Sequence, residues 1–142
     1  MVNGKRRLIV QPLLNNILFA YGSEQELQQF VYDNVNLPFL RFYYSHLHHS
    51  NGGRVPLVVP DYQMSTFRII CLNGDSGAYV TPDKINLFES GQMVRVTQGR
   101  FAGVVGRVAQ FKGQKRVGIY IEGVATAITA YIPKGFLEMA DE

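Results

Sequence analysis

His46, His48 and His49 stand close together between Ser45 and Ser50, and imidazoles are ready metal ligands. Their spacing at a strand end and the lack of nearby cysteines nevertheless argue for a solvated turn over a zinc site. Asp61, Asp75 and Asp83 are scattered at helix starts and loops, where a carboxylate satisfies backbone N–H groups. The sequence displays no nucleophile with a partnered base, no phosphate-binding glycine loop and no paired carboxylates at one site. What remains is cationic: Lys112, Lys115 and Arg116 crowd one turn, where they can contact phosphates or simply stay hydrated. Binding is expected, with no catalytic residue, metal or cofactor.

That turn, Lys112-Gly113-Gln114-Lys115, reads as a hairpin connection inside a run of β pattern. Met93 to Thr97 alternates apolar and polar, and Val117, Ile119 and Ile121 fall on one face. Between them lies Gly99-Arg100-Phe101-Ala102-Gly103-Val104-Val105-Gly106-Arg107-Val108. Gly99 and Gly103 bracket a tight loop where a Cβ would be penalised, and Gly106 marks a bulge or bend within a strand. Phe101 stands at the loop tip, either offered to a partner or folded back as a plug.

Composition sets outer limits. The 142 residues suit one domain or two small ones, and a hydrophobic content of 46% is enough for a core. The lone Cys71 rules out an intramolecular disulfide and suits a reducing compartment; its place on an apolar helical face suggests a buried thiol. No run is apolar enough to span a bilayer and Lys5-Arg6-Arg7 is not followed by a signal-peptide core, so a soluble cytoplasmic protein is expected, without membrane contact. A net charge of +3 permits nucleic-acid contact without demanding it.

The elements that must position these residues fall into two halves. In the first, Leu13 to Tyr21 fits a buried strand, and Ser23 with Glu26 forms a capping box for a helix whose Leu27, Phe30, Val31 and Val35 share a face. Leu37-Pro38 ends it. Phe39 to Tyr44 reads as an aromatic strand, Ser45 to Arg54 as a polar turn, and Pro60-Asp61 opens a second helix striped by Met64, Phe67, Ile70 and Cys71. The two helices should cover one side of an antiparallel sheet.

The second half reads as strands at about Gln92 to Thr97, Val104 to Phe111, Arg116 to Glu122 and Ala127 to Ile132, with a turn at Pro133-Lys134-Gly135. The expected fold is α+β: residues 1–84 as a sheet with helices, residues 85–142 as a small all-β barrel of roughly SH3 size, the boundary falling within 77–88.

Gly91 to Val96, continuing through Gly99 to Val108, resembles the KOW motif of NusG-type transcription factors. In that family the KOW barrel follows an N-terminal NGN domain, an antiparallel sheet with helices. Pro12, Leu13 and Phe19 match the family's Pro-Leu-Phe-Pro-Gly-Tyr-Val-Phe-Val strand, with Asn15-Asn16-Ile17 in place of its Pro-Gly-Tyr turn. Val59 to Phe67 resembles the segment that opens the last NGN helix. The matches are most similar to specialised paralogues, the UpxY-type antiterminators of bacterial capsular polysaccharide operons. The family's opening Trp-Tyr-Val-type strand and helix have no counterpart, which leaves two alternatives: a truncated NGN domain, or a second copy or partner covering the gap, as in a homodimer through the incomplete sheet.

The resemblance implies transcription elongation or antitermination without catalysis. The NGN half would dock on the clamp helices of RNA polymerase through Ile17, Phe19 and Phe30. The KOW barrel would hold a further partner, an RNA, a ribosomal protein or a termination factor, through Arg100, Phe101 and Arg107 and the basic tip Lys112, Lys115 and Arg116. A KOW-type RNA-binding or ribosome-associated protein, with the barrel as its functional part, is the competing reading.

Overall fold

The computed structural model describes residues 17–44 and 56–140. The chain divides into two compact units, Met1–Arg41 and Phe42–Glu142.

In the first unit, helix α1 spans Glu24–Tyr32. The expected capping box forms: the Ser23 hydroxyl accepts from the Glu26 N–H at 3.2 Å, and the Ser23 N–H donates to Glu26 Oε1 at 3.3 Å. Together these satisfy two of the donors that a helix start leaves open. The expected apolar face is present but only partly covered: Leu27 and Val31 are half-buried, Phe30 is exposed, and no α1 residue is fully buried. The strand expected over Leu13 to Tyr21 is corrected in its described part: residues 17–21 belong to no strand of the sheet among the described residues. Residues 13–16 lie outside the described residues.

The aromatic run Phe39 to Tyr44, which crosses the division between the units, is likewise not a strand. Its start is turned, with the Leu40 N–H on the Leu37 carbonyl at 3.2 Å, and its end makes an isolated bridge between Tyr44 and Pro56 beside the Leu57 N–H on the Tyr43 carbonyl at 2.7 Å. Pro56 has no N–H to extend that pairing. Helix α2, Asp61–Leu72, starts after Pro60 as expected and buries Thr66, Phe67 and Ile70.

The sheet is six-stranded and antiparallel, ordered β1-β5-β4-β3-β2-β6. Its strands are β1 Tyr79–Thr81, β2 Met93–Val96, β3 Val105–Phe111, β4 Gln114–Ile121, β5 Ala125–Ile128 and β6 Leu137–Met139. The chain is therefore α+β. Register places Val94, Gly106, Val108, Val117, Ile119, Ala127, Ile121 and Ala125 on one face. Most of these are fully buried and form the core, joined by Val96 and Val104. The opposite face is covered by α2, which packs on β3, β4 and β5, and by Phe88 lying against Gly118.

Residues 77–88, read in sequence as a loose passage and the place of the domain boundary, lie within this unit. They contain β1, registered on β5 from Tyr79–Ile128 to Thr81–Thr126, and Thr126 Oγ1 donates to the Asp83 carbonyl at 2.7 Å. The division expected after Lys84 thus cuts through backbone tied into the sheet. Strand ends elsewhere shift by a few residues; the hairpin turn is only Lys112-Gly113, both at positive φ (51° and 78°), so Gln114 already belongs to β4. Positive φ at both central positions is the I′ geometry that matches strand twist.

Candidate functional site

The cationic turn is built where β3 and β4 meet. Phe111 faces Gln114 and Gln110 faces Lys115 across the ladder, so alternate side chains leave the hairpin on opposite faces. On one face, Phe111 sits between Tyr79 and Phe88, with both ring centroids 6.0 Å away. Lys112 Nζ lies 4.9 Å from the Tyr79 ring centre and the Arg116 guanidinium 5.6 Å from that of Phe111, both cation–π distances. Arg116 is steadied further by Gln114, whose Oε1 accepts from its Nη2 at 2.9 Å.

On the other face the hairpin borders a groove of about 320 Å³ lined by Gln110, Gln114, Lys115, Tyr131, Ile132 and Lys134. The far wall is set by backbone: the Ile132 N–H donates to the Lys115 carbonyl at 2.9 Å, and Pro133 and a short 3-10 turn over Lys134–Phe136 then lead the chain away. Tyr131 presents its ring at 53% exposure. The predicted residues Lys112, Lys115 and Arg116 are thus brought together. Sequence reasoning missed Phe111, which is part of the hairpin itself, and Tyr79, Tyr131 and Lys134, which reach it through the β1–β5 pairing and the course of the chain after β5. The exposed aromatics beside Lys112 and Lys134 were the available signal.

The other barrel candidates separate. Phe101 is corrected as an exposed contact: it is 5% exposed and folded back as the plug of its loop. Gly99 and Gly103, at φ 85° and 95°, reverse the chain around it, and the Gly103 N–H returns to the Val96 carbonyl at 2.8 Å. Arg100 remains outside, 3.7 Å from Asp75. Arg107 is half-buried with Nη1 donating to the Gly91 carbonyl at 2.8 Å. It lies on a second cleft of about 220 Å³ between Tyr62, Phe88 and Tyr120. There Lys84 is held 2.5 Å from Glu89, whose hydrogen bond and charge raise the lysine above its ordinary pKa.

In the first unit Ile17 and Phe19 are half-buried and Phe30 is 42% exposed on α1. His46, His48 and His49 lie outside the described residues; among the described ones no three His, Cys, Asp or Glu side chains converge as a metal site. Cys71 is half-buried rather than sealed, and desolvation raises its thiol above the usual range, which disfavours the nucleophilic thiolate. No helix among the described residues is long and apolar enough to cross a membrane.

Comparison with protein-family models, curated proteins and solved structures finds no match to this chain. Its function must therefore be argued from these surfaces. They offer two kinds of contact: the exposed Phe30 on α1, and a hairpin end where cations and aromatic rings meet.

Proposed function

We propose that the chain is a NusG-like transcription elongation or antitermination factor, acting by binding alone. Its N-terminal NGN-like part docks on the clamp helices of RNA polymerase, and its KOW-type barrel holds a further partner. The observation that carries this reading is the strand order β5-β4-β3-β2-β6. A meander whose last strand returns to its first is the connectivity of a small SH3-like barrel, and the Gly99 to Val108 stretch builds its first corner.

The docking half is supported by α1, which carries Leu27, Phe30 and Val31 yet buries none of them. An aromatic ring left exposed beside half-buried Leu27 and Val31 suits helix recognition, where one or two aromatic anchors carry most of the energy. The full-length chain is expected to retain core RNA polymerase in a pull-down. Phe19→Ala or Phe30→Ala should weaken retention by about 30-fold, the effect of losing one anchor of about 2 kcal/mol. Failure of the wild-type chain to retain polymerase, or indifference to both substitutions, overturns the reading. The competing reading, a KOW-type RNA-binding or ribosome-associated protein, is favoured by the cationic hairpin end and would then stand in its place.

A further inference from the structure

We propose that the groove beside the β3–β4 hairpin binds a single-stranded nucleic acid, stacking a base on Tyr131 while Lys115 and Lys134 hold the flanking phosphates. The inference names the partner of the barrel and rests on the second unit alone, not on polymerase binding.

Charge distribution is the first argument. Elsewhere in the unit three cations have a carboxylate beside them: Lys84 has Glu89, Arg95 has Glu138 and Arg100, at 3.7 Å, has Asp75. At the hairpin end, Lys112, Lys115, Arg116 and Lys134 form no ion pair among the described residues, and no carboxylate lines the groove. Unpaired like charges repel, so holding four around one turn costs stability unless an anion is the intended occupant.

The second argument is the groove's own composition. A phosphate site needs only cations. This one also offers an exposed tyrosine ring and, on the same hairpin face as Lys115, the Gln110 side chain. A ring is a platform for unstacked bases, and amides can donate to and accept from base edges. A duplex keeps its bases stacked inside and would leave the ring unused. An acidic peptide would use the lysines but not the ring.

The third argument is rigidity. The wall carrying Tyr131 is pinned to β4 by the Ile132–Lys115 hydrogen bond, and the Thr129 N–H on the Val117 carbonyl at 2.8 Å ties the preceding turn. The backbones that carry the ring and the lysine are therefore held side by side before any ligand arrives, which lowers the entropy cost of binding.

The test is fluorescence anisotropy of the full chain with labelled oligo(U) and oligo(dT) of roughly 12 nucleotides, within the ~4–16-nucleotide reach of small barrels. A matched duplex and poly-glutamate serve as competitors. Saturable single-strand binding is expected, with Tyr131→Ala weakening it about 5- to 100-fold and Tyr131→Phe leaving it unchanged. The double variant Lys115→Gln/Lys134→Gln should flatten the slope of log affinity against log salt by about 1.4, or ~0.7 per phosphate contact. A preference between oligo(U) and oligo(dT) identifies the sugar, and either supports the proposal. Absence of single-strand binding, equal binding of duplex, equal displacement by poly-glutamate, or an unaffected Tyr131→Ala overturns it. Polymerase retention by Tyr131→Ala should equal that of the wild type, so the two proposals fail separately.

Discussion

Thr66 of α2 and Val105 of β3 exchange a pair of hydrogen bonds: the Thr66 hydroxyl donates to the Val105 carbonyl at 3.2 Å and accepts from the Val105 N–H at 3.0 Å. Thr66 is fully buried. A side chain here completes the backbone pairing at the start of β3, so the helix position and the opening of the strand are one device. Thr66→Val keeps shape but leaves both Val105 groups without their partner, which costs about 1–3 kcal/mol for each buried group left unsatisfied. Urea unfolding should show that loss as a lower midpoint at unchanged slope, while Thr66→Ser retains most of the stability. Equal midpoints for wild type and Thr66→Val would remove α2 from the account of how β3 begins.

Gly106 predicts a steric outcome rather than a conformational one. A Cβ at this position would sit 2.6 Å from the Gly118 carbonyl oxygen and 3.0 Å from Ile119 Cγ2. Backbone cannot yield as a flexible side chain can, so Gly106→Ala must displace β3 from β4. At Gly118 the neighbour is the Phe88 ring at 3.0 Å, a side chain able to rotate or shift. Gly106→Ala should therefore destabilise the chain more than Gly118→Ala, by about 1–3 kcal/mol of overpacking or more, read from thermal or urea unfolding.

Local signals were legible and non-local ones were not. The Ser23 and Glu26 capping box, the Pro60 helix start and the alternation of Val117, Ile119 and Ile121 all act within a few residues, and each has its counterpart in the fold. Aromatic content alone misread residues 39–44: the start of the run is turned and its end makes a single bridge, whereas β propensity reports fit to a neighbour's surface along a whole ladder. The three-residue β1 lies in a passage without periodicity and exists only because β5 offers an edge. The candidate groove failed to show itself for the same reason. Lys115 and Tyr131 become neighbours through the hydrogen bond from the Ile132 N–H to the Lys115 carbonyl, and nothing in their spacing announces it.

At the start of α1 the capping box makes a pH prediction. The hydrogen bonds from the Ser23 hydroxyl and backbone hold the Glu26 carboxyl below its ordinary value of 4.5. A carboxylate whose folded pKa is lowered adds stability above its unfolded pKa and loses that contribution as pH falls through the lower, folded value. The Glu26 carboxyl carbon should thus titrate below 4.5 by NMR, with the Ser23 amide proton following the same transition. Ser23→Ala should move that titration back toward the ordinary value; an unshifted titration in the wild type would mean that the box does not close in solution.

Phe101 and Arg100 are adjacent in sequence and opposite in expected effect. The Phe101 ring is buried beneath its loop, and the Val104 N–H on the Phe101 carbonyl at 3.0 Å fixes the reversal that points it inward. Removing the ring leaves a cavity that the β2–β3 corner cannot readily fill, so Phe101→Ala should lower stability by about 3–5 kcal/mol. Phe101→Leu keeps most of the buried surface and should cost far less. Arg100 is exposed and its pairing with Asp75 is long and hydrated, so Arg100→Ala should change stability by no more than about 0.5 kcal/mol. Chemical denaturation of the three variants checks the assignment: a Phe101→Ala protein as stable as the wild type would return the ring to the surface and to partner binding, where the loop's position in the sequence had first suggested it.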